Sequence, residues 1–139
     1  MTAPDMIVLD EALGRGVFSS KEQKRAQRSG KARLNVFLEA RGNAELSVDR
    51  LDCTTPEEAA AISDRIAVDR QRRFYGWATV VARLAAANGR RVVASPRPSN
   101  PYHADIVLPD LAADDYEEQR VHAQQLADAS RWRSRPTPP

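Results

Sequence analysis

The sequence predicts an α+β fold: a single domain with a small, mostly antiparallel sheet and helices packed on one face. Two patterns indicate it: short runs in which apolar and polar residues alternate, and other stretches in which apolar residues recur every three or four positions. The chain has 139 residues, of which 42% are hydrophobic, enough for one modest core. Helices on one sheet are the simplest arrangement that buries both kinds of apolar surface.

The first third of the chain predicts a loop, a polar helix and a hairpin. Glycines on both sides of an arginine indicate a loop over residues 14–20. Capping residues then predict a helix over residues 20–29, which Gly30 ends. Alternating apolar residues predict strands over residues 34–39 and 45–51, and the Gly-Asn sequence between them predicts the turn of a hairpin.

The middle of the chain contains the clearest helix start. Thr55 as the N-cap and Pro56 in the first helical position, with a glutamate three residues after the cap, predict a helix over residues 56–74. Residues 77–88 fit either a helix face or a buried strand. Their β-branched content favours a strand over residues 76–82, followed by a helical turn.

The last third predicts two strands and a long helix. The strands cover residues 91–95 and 103–108, and a stiff loop with three prolines joins them. Acidic residues then mark the start of a helix at residue 114 or 115, because carboxylates favour the positive end of a helix dipole. We expect this helix to end near residue 132.

The domain organisation follows from these elements. Residues 1–13 are expected to be a lead-in segment, residues 14–132 the domain, and residues 133–139 a flexible tail rich in arginine and proline. The sequence contains neither a secretory signal pattern nor an apolar stretch near the ~18 residues of a membrane-spanning helix. The single Cys53 excludes an internal disulfide framework. We therefore expect a cytoplasmic protein without a membrane partner.

Charge is distributed unevenly, although the net charge is only +2. Residues 15–33 contain seven basic residues and one acidic residue, and residues 105–118 contain six acidic residues and no basic one. Both blocks fit ordinary solvated surfaces. The basic block also fits an arm that contacts nucleic-acid phosphates, although no aromatic residue for base stacking lies within it. The contacts predicted for that arm are Lys21, Lys24, Arg25, Arg28, Lys31 and Arg33.

The proline-rich loop leads directly into the most distinctive candidate site. His103 and Asp105 lie two residues apart, so a strand places both side chains on one face, where they suit acid–base catalysis or metal binding. Asn100 and Tyr102, in the same segment, are candidate ligand contacts. The alternative is that His103 packs at a strand edge and Asp105 only bonds it or an arginine.

Two other groups are candidate ligand contacts. Arg15 lies between glycines, where a planar guanidinium suits a phosphate or carboxylate, or it is simply a turn arginine. Ser47 and Asp49 share the polar face of a predicted strand, which is either exposed or the floor of a site, and Arg50 follows them. The sequence has no phosphate-binding loop, dinucleotide turn or zinc-binding helix, so we expect no cofactor and no metal.

Three segments resemble a set of small uncharacterised bacterial proteins. They are Arg15-Gly16-Val17-Phe18-Ser19, Leu46-Ser47-Val48-Asp49-Arg50, and the stretch from Pro96 to Ile106. In that set, similar segments read Arg-x-Phe-Ser, Leu-Ser-Val-x-Arg and Pro-x-His-Ala-Asn/Asp-Ile. The resemblance implies no activity, but it includes the same polar residues that the patterns single out.

Three functions are compatible with the sequence. The first is a binding or accessory protein that acts through protein contacts or self-association. The second is a small enzyme on a phosphate-bearing or nucleotide-like ligand, with nuclease-like, nucleotidyl or ADP-ribosyl chemistry. It requires Arg15, Ser47, Arg50 and His103 to meet in one cleft. The third is a nucleic-acid binder that uses residues 15–33.

Overall fold

A computed structural model describes residues 4–109 and 115–137 of the chain, and six strands of this part form one antiparallel sheet. The strands are β1 (Ala12–Val17), β2 (Glu45–Arg50), β3 (Gly76–Val81), β4 (Arg91–Ala94), β5 (His103–Val107) and β6 (Arg131–Ser134). Their order across the sheet is β4-β5-β2-β1-β3-β6. The prediction of an α+β fold with one mostly antiparallel sheet is confirmed.

Three of the four described helices begin where capping residues predict, and the shortest begins without a side-chain cap. The helices are α1 (Ser20–Ser29), α2 (Pro56–Asp69), the short α3 (Ala82–Ala85) and α4 (Tyr116–Ala129). The Ser19 hydroxyl accepts from the amide of Glu22 at 3.3 Å, and Gly30 ends α1 with a left-handed φ of 81°. Helix α2 stops earlier than predicted because Phe74 is drawn into the core against Trp77.

The predicted strand over residues 34–39 is wrong, and so is the hairpin. Leu34–Phe37 forms a single 3₁₀ turn that buries Phe37. The Gln119 side-chain amide, from α4, donates to the carbonyls of Glu39 and Ala40 at 3.0 and 3.2 Å and holds the segment after this turn. Strand β2 therefore pairs with β1 and β5, instead of with a hairpin partner.

The structure differs from the prediction near both ends of the chain. Strand β1 begins in the expected lead-in and includes residues 14–17 of the expected loop. At the other end, α4 stops before Ser130, and β6 pairs along β3 where the helix was expected to continue. The sheet thus extends into the predicted tail. Residues 1–3 of the lead-in, the helix start at residue 114 and residues 138–139 of the tail lie outside the described residues.

Buried side chains lie on both faces of the sheet. On one face, Leu46, Val80 and Ile106 pack with Leu126 of α4. On the other, Trp77 packs in a cluster with alanines of α2, so helical cover extends to both sides of the sheet. Within the described ranges, none of the helices combines the length and the apolar character needed to cross a bilayer.

Candidate functional site

A cleft opens where β1 and β2 separate. The two strands pair only at Leu13 with Arg50 and at Gly14 with Asp49, after which β1 continues along β3 and β2 along β5. The Arg15 side chain crosses the gap. Its Nη1 donates to the Ser47 carbonyl at 2.9 Å, its Nε donates to a carbonyl of the 3₁₀ turn at 3.0 Å, and it forms an ion pair with a glutamate after that turn.

The cleft has a volume of about 390 Å³, within the range of about 300–1,000 Å³ that is common for ligand sites. Five parts of the chain line it: β1 with the start of α1, the 3₁₀ turn, β2, α2 with the segment after it, and the loop into β5. The lining side chains with polar or charged groups include Arg15, Glu22, Asp49, Arg70, Arg72, Arg97, Asn100 and His103.

His103 lies in this lining with only 6% of its surface exposed. Its Nδ1 is 2.8 Å from the Ser95 hydroxyl and 3.2 Å from the Ser95 carbonyl. Because a carbonyl only accepts hydrogen bonds, Nδ1 carries the proton. The Ser95 hydroxyl in turn donates to Asp105 at 2.8 Å. Hydrogen bonds therefore connect Asp105, Ser95 and His103 in a chain.

The other imidazole nitrogen, Nε2 of His103, is buried and has no hydrogen-bond partner among the described residues. With the proton on Nδ1, this nitrogen holds a free lone pair. Burial, and then the nearby positive charge of Arg97, lowers the pKa of His103. The ring is therefore neutral at pH 7, the state that a general base requires.

Asp49 lies opposite His103 in the pairing of β2 with β5, so both side chains are on the same face of the sheet. The Asp49 carboxyl accepts from the Asn100 side-chain amide at 2.8 Å and from the Trp77 indole at 3.3 Å. Burial raises the pKa of Asp49 despite these bonds. A neutral histidine thus lies beside a carboxyl whose protonation burial favours, a pairing that suits acid–base chemistry.

Three exposed arginines line the cleft: Arg70, Arg72 and Arg97. None of them has an ion-pair partner within residues 4–109 and 115–137. Glu22 on α1 also lines the cleft, but its side chain is acidic and faces inward. Its Oε1 accepts from Arg33 at 2.5 Å, and its Oε2 is buried without a partner among the residues described.

The structure brings together four of the residues predicted for the site: Arg15, Ser47, Asn100 and His103 all line the cleft. Asp105 supports His103 through Ser95 instead of facing the cleft. The Tyr102 hydroxyl bonds a glutamate of α2 at 3.3 Å and does not line the cleft.

The expectation that Arg50 joins this group is wrong. Arg50 shares the sheet face of Leu13, where its guanidinium bonds Glu11 at 2.8 and 3.2 Å and the carbonyl of Met6 at 3.0 Å. It is 1% exposed and does not line the cleft. Its polar groups are used in a buried ion pair that ties the N-terminal segment to β2.

Several residues of the site were missed by the sequence predictions. Ser95 directly follows β4, but nothing in its sequence context points to His103. Arg70, Arg72 and Arg97 resemble any exposed arginine of a chain that has 18 of them. Asp49 was not missed, because it alternates with Ser47 and strand periodicity detects that signal.

Comparison with protein-family models, curated proteins and solved structures found no match to this chain. In the described part of the chain, no three His, Cys, Asp or Glu side chains are grouped in a way that would hold a metal ion. Any argument about function therefore depends on the geometry of the cleft.

Proposed function

We propose that this protein is a small enzyme that binds a phosphate-bearing, nucleotide-like ligand in the cleft between β1 and β2. The observation that carries the proposal is one cleft lined by three arginines without an ion-pair partner among the described residues and by a neutral histidine whose Nε2 has no hydrogen-bond partner among them. Arginine suits phosphate because its planar guanidinium donates two parallel hydrogen bonds. We expected Arg15 and Arg50 to bind the ligand's anionic group. We now assign that role to Arg70, Arg72 and Arg97.

The buried lining sets a second requirement on the ligand. His103 Nε2 and Glu22 Oε2 are hydrogen-bond acceptors without partners among the described residues. An unpaired buried acceptor costs about 1–3 kcal/mol, which a donor on a ligand or on the attacking water removes. The best ligand therefore presents an anion to the arginines and N–H or O–H groups to the interior. A nucleotide has both, because its sugar hydroxyls and base amino groups lie away from its phosphate.

The chemistry that fits this arrangement is hydrolysis of a phosphoester. A water molecule gives a proton to His103 Nε2, its oxygen attacks phosphorus, and the leaving oxygen takes a proton from Asp49. The chain from Asp105 through Ser95 stabilises the imidazolium that forms, because Nδ1 already donates into it. The raised pKa of Asp49 favours its protonated form, which the leaving group requires.

Calorimetric titration with adenosine 5′-monophosphate tests the binding step. Wild type is expected to bind the nucleotide more tightly than adenosine, and Arg70→Ala is expected to weaken binding by about tenfold, the loss of one charge-assisted contact. Arg65→Ala is the matched control, because Arg65 is an exposed arginine on α2, five residues before Arg70, that does not line the cleft. Equal weakening in both variants, or no preference for the phosphate, contradicts the proposal.

Hydrolysis of bis(p-nitrophenyl) phosphate tests the chemical step separately. His103→Gln removes the base, so we expect it to lose turnover by about 10²–10⁴-fold while it still binds the nucleotide. Activity that is equal in wild type and variant, or absent from both, removes the catalytic part of the proposal. The titration then decides whether the cleft is a binding site.

The hypothesis of a protein that acts through protein contacts stays a prediction. Among the large apolar side chains that are exposed in the described residues, Met6, Val8 and Leu9 lie close together in the segment before β1. The others lie singly on separate elements: Val68 on α2, Leu84 on α3, Val93 on β4 and Val121 on α4. Scattered exposed side chains of this kind are normal for a protein surface.

A further inference from the structure

Helix α1 has a row of positive charges on its solvent side. Lys21, Lys24, Arg25 and Arg28 recur at spacings of three and four residues, which places them on one helical face, and all four are exposed. Ala26, the buried residue of α1, lies on the opposite side. The row therefore points away from the protein body, where it is free to contact another molecule.

No carboxylate of α1 offsets this row. Glu22 is the acidic residue of the helix, and it turns inward to bond Arg33 at 2.5 Å. Arg33 is thus committed to an ion pair, which removes it from the phosphate contacts predicted for the basic block. Lys31 is exposed just beyond the end of the helix.

Strand β6 supplies an aromatic residue beside the basic row. The Trp132 amide donates to the Gly30 carbonyl at 2.9 Å, so β6 lies beside the C-terminal end of α1. Trp132 is half-buried, and the exposed Arg131 and Arg133 lie on the opposite face of the strand. The basic block has no aromatic residue between Lys21 and Arg33, but the fold places one next to it.

We propose that α1 and β6 together bind single-stranded nucleic acid, with Lys21, Lys24, Arg25, Arg28 and Lys31 on phosphates and Trp132 against a base. A row of cations beside an aromatic ring is the usual composition of such a surface. A lipid surface is a poor fit, because the exposed face of α1 has no apolar side chain to insert into a bilayer. The surface is separate from the catalytic groups of the cleft, so this proposal does not depend on the proposed enzyme activity.

The test is fluorescence anisotropy with a labelled oligothymidylate of about 20 nucleotides, long enough to cover a typical single-strand site. Five phosphate contacts predict that the logarithm of affinity falls against the logarithm of salt concentration with a slope of about −3.5. A charge-reversed triple variant, Lys24→Glu, Arg25→Glu and Arg28→Glu, is expected to bind at least about tenfold more weakly, with a slope that is shallower by about 2.

The matched control reverses three exposed arginines on other helices, Arg65, Arg83 and Arg120, and changes the net charge by the same amount. It is expected to keep wild-type affinity within about threefold. Equal losses in the two triple variants would show attraction by net charge alone and overturn the proposal. Wild-type binding that is absent at 50 mM salt, or that requires an acidic protein instead of the oligonucleotide, would overturn it as well.

Tryptophan fluorescence tests the base contact. Trp77 is 0% exposed, so quenching by an unlabelled oligonucleotide reports on Trp132. We expect quenching in wild type and none in Trp132→Phe, and equal signals refute the stacking contact. His103→Gln is expected to bind the oligonucleotide as wild type does, so that failure of the proposed cleft chemistry and failure of this surface are told apart.

Discussion

The buried ion pair of Arg50 with Glu11 gives the sharpest test of the structure. Arg50 is 1% exposed and Glu11 is 6% exposed, and two hydrogen bonds of 2.8 and 3.2 Å join them. Arg50→Met removes one partner and leaves the other charge buried, which costs about 3–5 kcal/mol. The free energy of unfolding of such a domain is about 5–15 kcal/mol in total, so the substitution removes a large share of its stability.

Urea denaturation followed by circular dichroism measures this loss. A double variant that also carries Glu11→Leu no longer buries an unpaired carboxylate, so we expect it to be about 2 kcal/mol more stable than Arg50→Met alone. Adenosine 5′-monophosphate should bind Arg50→Met as tightly as wild type, because Arg50 does not line the cleft. A loss of unfolding free energy under about 1 kcal/mol in Arg50→Met refutes the buried pair.

The same pair predicts how stability changes in acid. Burial acts to raise the pKa of Glu11, but hydrogen bonds from Arg50 and the Val8 amide outweigh it and hold the pKa below its usual value. A lowered carboxyl pKa contributes stability that is complete above the usual pKa and is lost as the pH falls through the lowered one. Wild type should therefore lose stability more steeply than Arg50→Met below the pH at which an exposed glutamate titrates.

Two further predictions concern His122 and Gly14. Burial lowers the pKa of His122, and the positive charge of Arg90, 2.8 Å from its ring, lowers it further. The stability that the neutral ring contributes is therefore complete above about pH 6.5 and is lost as the pH falls. His122→Gln should reduce the loss of unfolding free energy between pH 7 and pH 5.5, and an unchanged loss contradicts this. A Cβ on Gly14 would lie 2.7 Å from Leu51 and 2.8 Å from Trp77, so Gly14→Ala should cost about 1–3 kcal/mol in urea denaturation. A neutral effect would contradict the packing described.

Local signals in the sequence predicted the elements that depend on neighbouring residues. The cap residues Ser19 and Thr55 mark helix starts because their hydroxyls bond amides three residues away. Strands β2 and β5 follow from alternation, since one of their faces is buried throughout. Such features are visible in a window of a few residues, so a single sequence is enough to find them.

The elements that were missed depend on distant residues. Strand β1 contains two glycines and an arginine, and it is a strand because it pairs along β3, where Gly14 leaves room for the ring of Trp77. Strand β6 was read as helix and tail, and it is a strand because β3 offers it a hydrogen-bonding edge. Neither reason is present in the local sequence.

Strand alternation already separates the residues of the cleft from Arg50. Leu46, Val48 and Arg50 lie two residues apart, so a strand puts Arg50 on the buried face, away from Ser47 and Asp49. The sequence prediction grouped Arg50 with Ser47 because both are polar, and the structure follows the periodicity instead. Side-chain direction along a strand is thus stronger evidence for a shared site than similarity of chemical type.

The periodicity of the sequence does not predict where the cleft lies. The cleft exists because β1 and β2 share only two pairs of residues and then follow different neighbours, and because Arg15 spans the opening with hydrogen bonds to both sides. Arg15 was expected to bind a ligand anion, but its donors are used to hold the walls in place. Arginines outside the strands are left to face the cleft, and these are the residues on which an anionic ligand would depend.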